Sequence, residues 1–272
     1  MSNADFHLPQ RGLGSTARRD KWWVQPLTVF CVLSGFIVYA TWAALQGKHY
    51  FAHANGEHYL SPFYSPLLYG AEHEPYWIAQ GVPKWWPSFL PFSPAMLILI
   101  GPGLMRFTCY YYRGAYYKAF WADPLSCAVG EPRKGYRGEN SFPLIMQNVH
   151  RYVFYPAAAF VMVLLYDGYK ALWFTDAEGT HFGVGVGSIV LIMNALLLGG
   201  YTFGCHCARH QIGGFLNSLA KRPIRSKCYA CVNALNKRHM YWAWVSLVWV
   251  ALTDLYVRLL SMGYITDFRI IF

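Results

Sequence analysis

The sequence has little charge for its size. Of its 272 residues only 13% are charged, whereas 55% are hydrophobic and 18% are aromatic. A soluble domain carries more charge than this, so the composition excludes an ordinary soluble domain and indicates a membrane protein. The net charge of +10 would suit nucleic acid. However, no basic stripe interleaved with aromatic residues lies outside the apolar runs, which argues against nucleic-acid binding.

Two further patterns are missing. The N-terminal segment lacks the small-residue cleavage site of a secretory signal, so residues 1–21 are predicted to stay on the mature chain as a cytoplasmic tail. No glycine-rich G-x-G-x-x-G follows a predicted strand, so the chain has no fingerprint for binding a flavin or nicotinamide dinucleotide.

Long apolar runs predict the fold. A helix needs about 20 apolar residues to cross the hydrocarbon layer, where only a helix satisfies its own backbone groups. The sequence therefore predicts an all-α integral membrane protein, with residues 22–272 forming one five-helix domain. The second run contains three prolines and is predicted to be kinked. The predicted transmembrane helices are 22–45, 89–110, 152–174, 182–204 and 240–262.

Basic residues predict the orientation. Lysines and arginines are concentrated in the N-terminal tail, in the connection after the second run and in the connection after the fourth run. The opposite side has only Lys48, Lys84 and Arg269. Positive residues favour the cytoplasmic side, so the N-terminus is predicted in the cytoplasm and the C-terminus outside.

Two cysteine- and histidine-rich motifs follow the fourth run: CHCARH at 205–210 and CYAC at 228–231. His206 and His210 are four residues apart and share one face of a helix. A glycine pair and a proline separate the two motifs, so a reversal would bring Cys228 and Cys231 beside the histidines. Thiols on the cytoplasmic side stay reduced and available as metal ligands.

Several chemistries remain open for these residues. A structural zinc would use Cys207 and His210 with the C-x-x-C pair. A haem would need histidines on different helices, such as His150 and His239. Without a metal, the cysteines would act as small buried hydrophobic residues. A Rieske-type [2Fe-2S] cluster needs two imidazoles and two thiolates, which are present in His206, His210, Cys228 and Cys231.

The residues that carry a family resemblance are CHCARHQIGG, KCYAC and the NVHRY at the start of the third run. Through them the chain resembles the membrane anchor of succinate dehydrogenase or fumarate reductase, respiratory complex II. More narrowly, it resembles the haem-free actinobacterial type F anchor, which carries a Rieske-type [2Fe-2S] cluster. The resemblance implies a multi-pass protein of the bacterial plasma membrane that docks a flavoprotein subunit and an iron–sulfur subunit. It would carry electrons through the cluster to menaquinone or ubiquinone, with no dicarboxylate active site of its own and no haem.

The resemblance also implies a ligand set, His206, His210, Cys228 and Cys231. Soluble Rieske proteins take one cysteine and one histidine from each of two loops, which leaves replacements open: Cys205, Cys207 and His239. The alternatives to this function are a haem b-binding cytochrome subunit of a quinone oxidoreductase, and a membrane scaffold or transporter with a structural zinc.

Quinone and proton sites are predicted from polar groups near the run ends. A quinone carbonyl needs a hydrogen-bond donor and its reduction needs a proton source, which favours His150 and Arg151. Asp254 and Arg258, four apart in the fifth run, are predicted to neutralise each other or to form a proton path. Aromatic residues predicted to line the quinone pocket are Tyr152, Tyr229, Tyr241 and Trp242.

Overall fold

The computed structural model describes residues 12–70, 76–133, 140–142 and 144–272. The first half of the predicted tail, with Arg11, lies outside the described residues, as do Lys134 and Arg137 of the basic connection. The described part of the chain is mostly helical.

Long helices occupy four of the predicted runs. They are α1 (Val24–Gln46), α5 (His150–Lys170), α6 (Val186–Phe203) and α9 (His239–Ser261). A 3-10 turn over Leu144–Val149 leads into α5. Within the described residues, these four helices are long and apolar enough to cross a membrane.

The remaining predicted run, 89–110, is broken rather than continuous. It contains α2 (Pro94–Ile98) and α3 (Ile100–Phe107), and α4 (Tyr110–Tyr116) follows with a π-helical turn over Tyr117–Trp121. Proline cannot donate a backbone hydrogen bond and crowds the preceding turn, which accounts for the break before Pro102. Cys109 is extended and separates α3 from α4. One kinked helix was expected here, and the fifth span and the membrane orientation stay predictions.

The mostly helical chain is consistent with the predicted all-α membrane protein, and short strands lie at one end of the bundle. Strands β5 (Trp173–Asp176) and β6 (Gly179–Gly185) form an antiparallel hairpin, and β7 (Arg269–Ile271) adds to β6. Apolar residues such as Phe174 and Phe182 had extended the predicted third and fourth runs into this hairpin, so both helices are shorter than expected. We call this end of the bundle the sheet end. The loop after α1 carries two short strand pairs, β1 (Phe51–Ala52) with β2 (Tyr59–Leu60) and β3 (Tyr69–Gly70) with β4 (Ala79–Gln80).

Two further helices connect α6 to α9 at the opposite end. They are α7 (His206–Gly213) and α8 (Pro223–Lys237), which form a helical hairpin. We call this the α7 end. Glycine allows α6 and α9 to approach closely here, because a Cβ at Gly200 would lie 2.9 Å from the Trp242 ring. The first residues of α5 and α9 therefore lie near the last turn of α6.

Candidate functional site

The structure brings the two predicted histidine ligands together. His206 and His210 are exposed on α7, with their Nε2 atoms 2.9 Å apart and their ring centroids 4.5 Å apart. Cys228 and Cys231 are exposed on α8. The predicted set of four ligands does not converge.

The predicted ligands stay apart because other side chains of α8 make its contacts with α7. Arg225 donates to the Ile212 carbonyl at 2.6 Å. The Tyr229 ring packs closely on Gly213, because a Cβ added to this glycine would lie only 2.7 Å from the ring. Farther along α8, the Asn236 side-chain amide donates to the Gly204 carbonyl at 2.7 Å. These three side chains make the contacts of α8 with α7 and the end of α6, whereas Cys228 and Cys231 stay exposed.

The zinc set is not assembled either. Cys207 is buried, and its thiol lies 4.0 Å from the Arg151 carbonyl of α5, away from α8. Across the ranges that the structure describes, no three histidine, cysteine or acidic residues are spaced to hold a single metal ion.

A different group of thiols and imidazoles lies inside the α7 end. The Cys109 Sγ is 3.5 Å from the His239 Nε2. Cys205 is close enough to Cys109, and His150 to His239, for each pair to interact electrostatically. Both thiols are almost completely buried, with Cys205 only 1% exposed. Four separate elements supply this cluster, which we call the thiol–imidazole cluster: Cys109, His150, Cys205 and His239.

Hydrogen bonds orient the imidazoles. The Thr108 hydroxyl donates to the Leu104 carbonyl at 2.7 Å and lies 2.9 Å from the His150 Nδ1. Because the hydroxyl proton is used, Nδ1 donates to Thr108 and the His150 Nε2 keeps a free lone pair. The His239 ring stacks on Tyr201 at 5.1 Å, and its buried Nδ1 has no hydrogen-bond partner. Both rings are therefore held in place, and each has a nitrogen that is available to bind a metal.

The Cys109 and Cys205 thiols are shielded from water. Burial raises the pKa of the Cys205 thiol to about 12, while the hydrogen bond from the Ala208 N–H at 3.3 Å acts in the opposite direction. Such a thiol stays protonated at neutral pH unless a cation stabilises its thiolate. Nearby, the Arg106 guanidinium lies 4.7 Å from the Tyr201 ring centroid and interacts electrostatically with His239. Arg106 is the cation best placed to offset thiolate charge.

A cleft of about 630 Å³ opens beside this cluster, between the start of α5 and α7. His150 and Arg151 line one wall, and His206 and His210 line the other. At its edge, Gln147 is only 4% exposed and its Oε1 has no hydrogen-bond partner, while its Nε2 lies 3.4 Å from the Phe107 carbonyl. The volume falls within the range of small-molecule sites.

The predicted aromatic residues lie mostly elsewhere. Tyr152 is exposed and accepts a hydrogen bond from Arg151 at 2.8 Å. Tyr229 lines an adjoining hollow of about 390 Å³ together with both α7 histidines. Tyr241 is exposed, and Trp242 covers Gly200. Of the predicted quinone residues, His150 and Arg151 line the cleft itself.

Asp254 and Arg258 form the expected ion pair, but at the sheet end. The Arg258 Nε donates to Asp254 at 2.7 Å, and both side chains are at most 1% exposed. The carboxylate also accepts from Tyr39 at 2.6 Å and from Ser61. The guanidinium also donates to the Ala43 carbonyl, at 2.9 Å. Every contact of the pair joins elements of the sheet end.

The fold and the cluster define a class: a helical, multi-pass membrane protein with two buried thiols, one buried imidazole and one half-buried imidazole at one end of its bundle. Over residues 24–263 the chain matches the family described as actinobacterial succinate dehydrogenase subunit SdhC, and it belongs to that family. The chain is similar to one in the structure "Mycobacterium smegmatis Sdh1 complex in the apo form", with 41% sequence identity and a TM-score of 0.81. This likeness covers 93% of this chain and 92% of the other. Among proteins with curated descriptions, none matches.

Family membership confirms the coarser sequence predictions. The chain is a subunit of a succinate dehydrogenase, and it is a membrane protein of the bacterial plasma membrane. The cluster type and its ligands are not settled by membership.

Proposed function

We propose that this subunit anchors succinate dehydrogenase in the membrane and passes electrons from the iron–sulfur subunit to a quinone. Flavin chemistry on succinate then belongs to the flavoprotein subunit, in keeping with the absence of a dinucleotide fingerprint from this chain. The observation that carries the proposal is the buried thiol–imidazole cluster lying directly beside an open cleft, with His150 in both.

The cluster residues fit a Rieske-type [2Fe-2S] centre. Two thiolates and two imidazoles are the donor set of such a centre, and here they would be Cys109, Cys205, His150 and His239. The free lone pair of His150 and the unpartnered Nδ1 of His239 support this assignment. Among the described residues neither this set nor the predicted one has the spacing for a single ion; the burial of Cys109, His150 and Cys205 favours this set for a two-iron centre. Two members of the proposed set, Cys205 and His239, are among the replacement ligands predicted from the sequence.

When bound, such a centre takes up and releases one electron at a potential raised by its neutral imidazole ligands. The protein supplies the surroundings. Thr108 fixes the His150 ring. Arg106 places a positive charge beside His239 and is itself held by Tyr112 at 2.6 Å and Ser246 at 3.0 Å. These contacts favour a rigid, partly charge-compensated site.

The cleft is the proposed quinone site. Arg151 offers a guanidinium to a quinone carbonyl, and the Gln147 Oε1 offers an unused acceptor to a quinol hydroxyl. The exposed imidazoles of His206 and His210 lie on the outer wall, where they can take protons from water and hand them inward. Asp254 and Arg258 contact none of these groups, so a proton path through them would serve the opposite end of the bundle. The structure favours neither menaquinone nor ubiquinone.

Electron paramagnetic resonance of the reduced, purified complex tests the ligand set. Cys205→Ser and His239→Ala are expected to abolish the signal of this centre, whereas His206→Ala and His210→Ala retain it and slow quinone reduction. Cys228→Ser is the matched thiol control and retains both. Size-exclusion chromatography checks that each variant still assembles.

The opposite pattern would overturn the assignment. Loss of the signal in Cys228→Ser or His206→Ala, with Cys205→Ser unaffected, would return the site to the α7–α8 hairpin. A Soret absorption lost in His239→Ala would instead establish a haem between His150 and His239. Zinc without iron in this subunit would refute electron transfer through it.

A further inference from the structure

We propose that His206 and His210 form a separate, reversible binding site for a divalent transition-metal ion at the mouth of the cleft. The pair is distinct from the thiol–imidazole cluster, because both rings are exposed, whereas Cys205, the residue before His206, has its side chain buried. The two Nε2 atoms face each other on consecutive turns of α7.

The spacing of the two nitrogens sets the coordination geometry. Imidazole nitrogens bind zinc at about 2.0–2.1 Å, so two nitrogens 2.9 Å apart subtend about 90° at a shared ion. A right angle joins neighbouring positions of square-planar or octahedral coordination and is narrower than the tetrahedral angle. This geometry favours Cu²⁺ and Ni²⁺ over Zn²⁺, with water completing the shell.

The ligands are held in place by the α7–α8 hairpin. The Cys205 side chain caps the start of α7 by accepting from the Ala208 N–H at 3.3 Å. At its other end, Arg225 binds the carbonyls of Ile212 at 2.6 Å and Gly214 at 3.2 Å. In the metal-free pair one Nε2 donates a hydrogen bond to the other. Metal binding then requires that proton to move to Nδ1 of the same ring, and the helix need not reorganise.

Nearby arginines limit the affinity. The Arg209 guanidinium lies on the same helix, donating to Asn236 and Tyr229 at 3.1 Å each. Arg151 lies across the cleft, beside Tyr152. Their positive charge opposes a divalent cation, so the site is suited to a reversibly bound ion rather than to a permanent structural metal.

A bound ion would affect quinone chemistry. This consequence rests on the proposed function, since the same two imidazoles line the proposed quinone site. The ion would occupy the mouth of the cleft and obstruct the entry of quinone. Quinone reduction should therefore slow, while succinate oxidation with a soluble artificial electron acceptor continues.

Copper binding to the purified, air-oxidised complex tests the site directly, after its accessible thiols are blocked with N-ethylmaleimide. We expect one Cu²⁺ per chain whose paramagnetic resonance spectrum shows splitting from two imidazole nitrogens. His206→Gln and His210→Gln should each weaken this binding about tenfold or more, because the second ligand binds at high effective concentration. His181→Gln is the matched control: it removes an exposed histidine at the sheet end and leaves the copper site unchanged.

Two results would overturn the site: copper affinity equal in wild type and in His206→Gln, or a spectrum without two-nitrogen splitting. Unchanged melting temperatures show that both glutamine variants fold. Quinone reduction is then measured with and without Ni²⁺. Binding without inhibition leaves the metal site standing and contradicts the proposed place of the quinone. If Ni²⁺ still inhibits both glutamine variants, the inhibition comes from another site.

Discussion

Removing the positive charge of the buried ion pair, with Arg258→Met, tests what holds the sheet end together. Methionine keeps much of the side-chain length but leaves Asp254 buried without its cation. It also leaves the Ala43 and Lys48 carbonyls without the guanidinium donors that lie 2.9 and 3.1 Å away. These carbonyls stand at the end of α1 and just beyond it, so the variant also loosens the attachment of α1 to α9.

The expected cost is large. Breaking a buried ion pair by removing one partner costs about 3–5 kcal/mol, because the other charge stays buried and uncompensated. For a protein of this size each kcal/mol lowers the melting temperature by about 2–4 °C, so the shift should be about 6–20 °C. Tyr39 and Ser61 still donate to Asp254, which favours the lower half of this range.

Thermal unfolding of the detergent-purified complex measures the shift. Lys227→Met is the matched control, since it removes a positive charge from the exposed surface of α8 and should change stability by less than about 0.5 kcal/mol. The double variant Asp254→Leu/Arg258→Met should be less destabilised than Arg258→Met, because no lone charge remains.

A melting temperature unchanged by Arg258→Met would refute the structural role. The proton-path alternative makes a different prediction: Asp254→Asn would assemble normally and yet lose quinone reduction. If the pair is structural, the turnover of Asp254→Asn per assembled complex stays at the wild-type level.

Three further predictions follow from the α7 end and the sheet end. Gln147→Leu removes the free acceptor of the cleft. In steady-state kinetics the KM for quinol should rise about two- to tenfold, which corresponds to the loss of one hydrogen bond. An unchanged KM would place the quinol elsewhere. A charged maleimide at pH 8 should label the exposed Cys228 but not the buried Cys205, whose pKa is raised to about 12; peptide mass spectrometry measures both, and equal labelling would contradict the burial. Gly56→Ala should lower stability by about 1–3 kcal/mol, because Gly56 has a φ of +84° and a Cβ there meets a backbone carbonyl. The control Gly81→Ala has a similar φ of +77° in open space and should cost less in the same melting assay.

Much of the fold could be predicted because its signals are local. Unbroken apolar runs predicted α1, α5, α6 and α9 to within a few residues at most ends. Spacing of four residues predicted the contacts of Asp254 with Arg258 and of His206 with His210. The hairpin of β5 and β6 was missed, since its aromatic residues continue the apolar character of the flanking helices.

The thiol–imidazole cluster is non-local, which is why the motifs pointed elsewhere. CHCARH and CYAC are close in sequence, whereas Cys109 and His239 come from distant parts of the chain. One signal was available. Cys109, His150, Cys205 and His239 each lie within two residues of the end of a predicted run, and those four ends share the predicted cytoplasmic side. Residues at equal membrane depth are candidates for contact even when their spacing follows no motif. The break before Pro102 had a signal in the prolines of that run, whereas the break at Cys109 had none.

The cluster draws one side chain from each of four segments, and the last of these, α9, begins at residue 239. A nascent chain that has not reached residue 239 therefore lacks one of the four side chains. An inorganic centre bound by all four residues would need α9 to be synthesised and docked before the centre could be inserted completely. A chain truncated before α9 would lack His239 and with it one of the four proposed ligands.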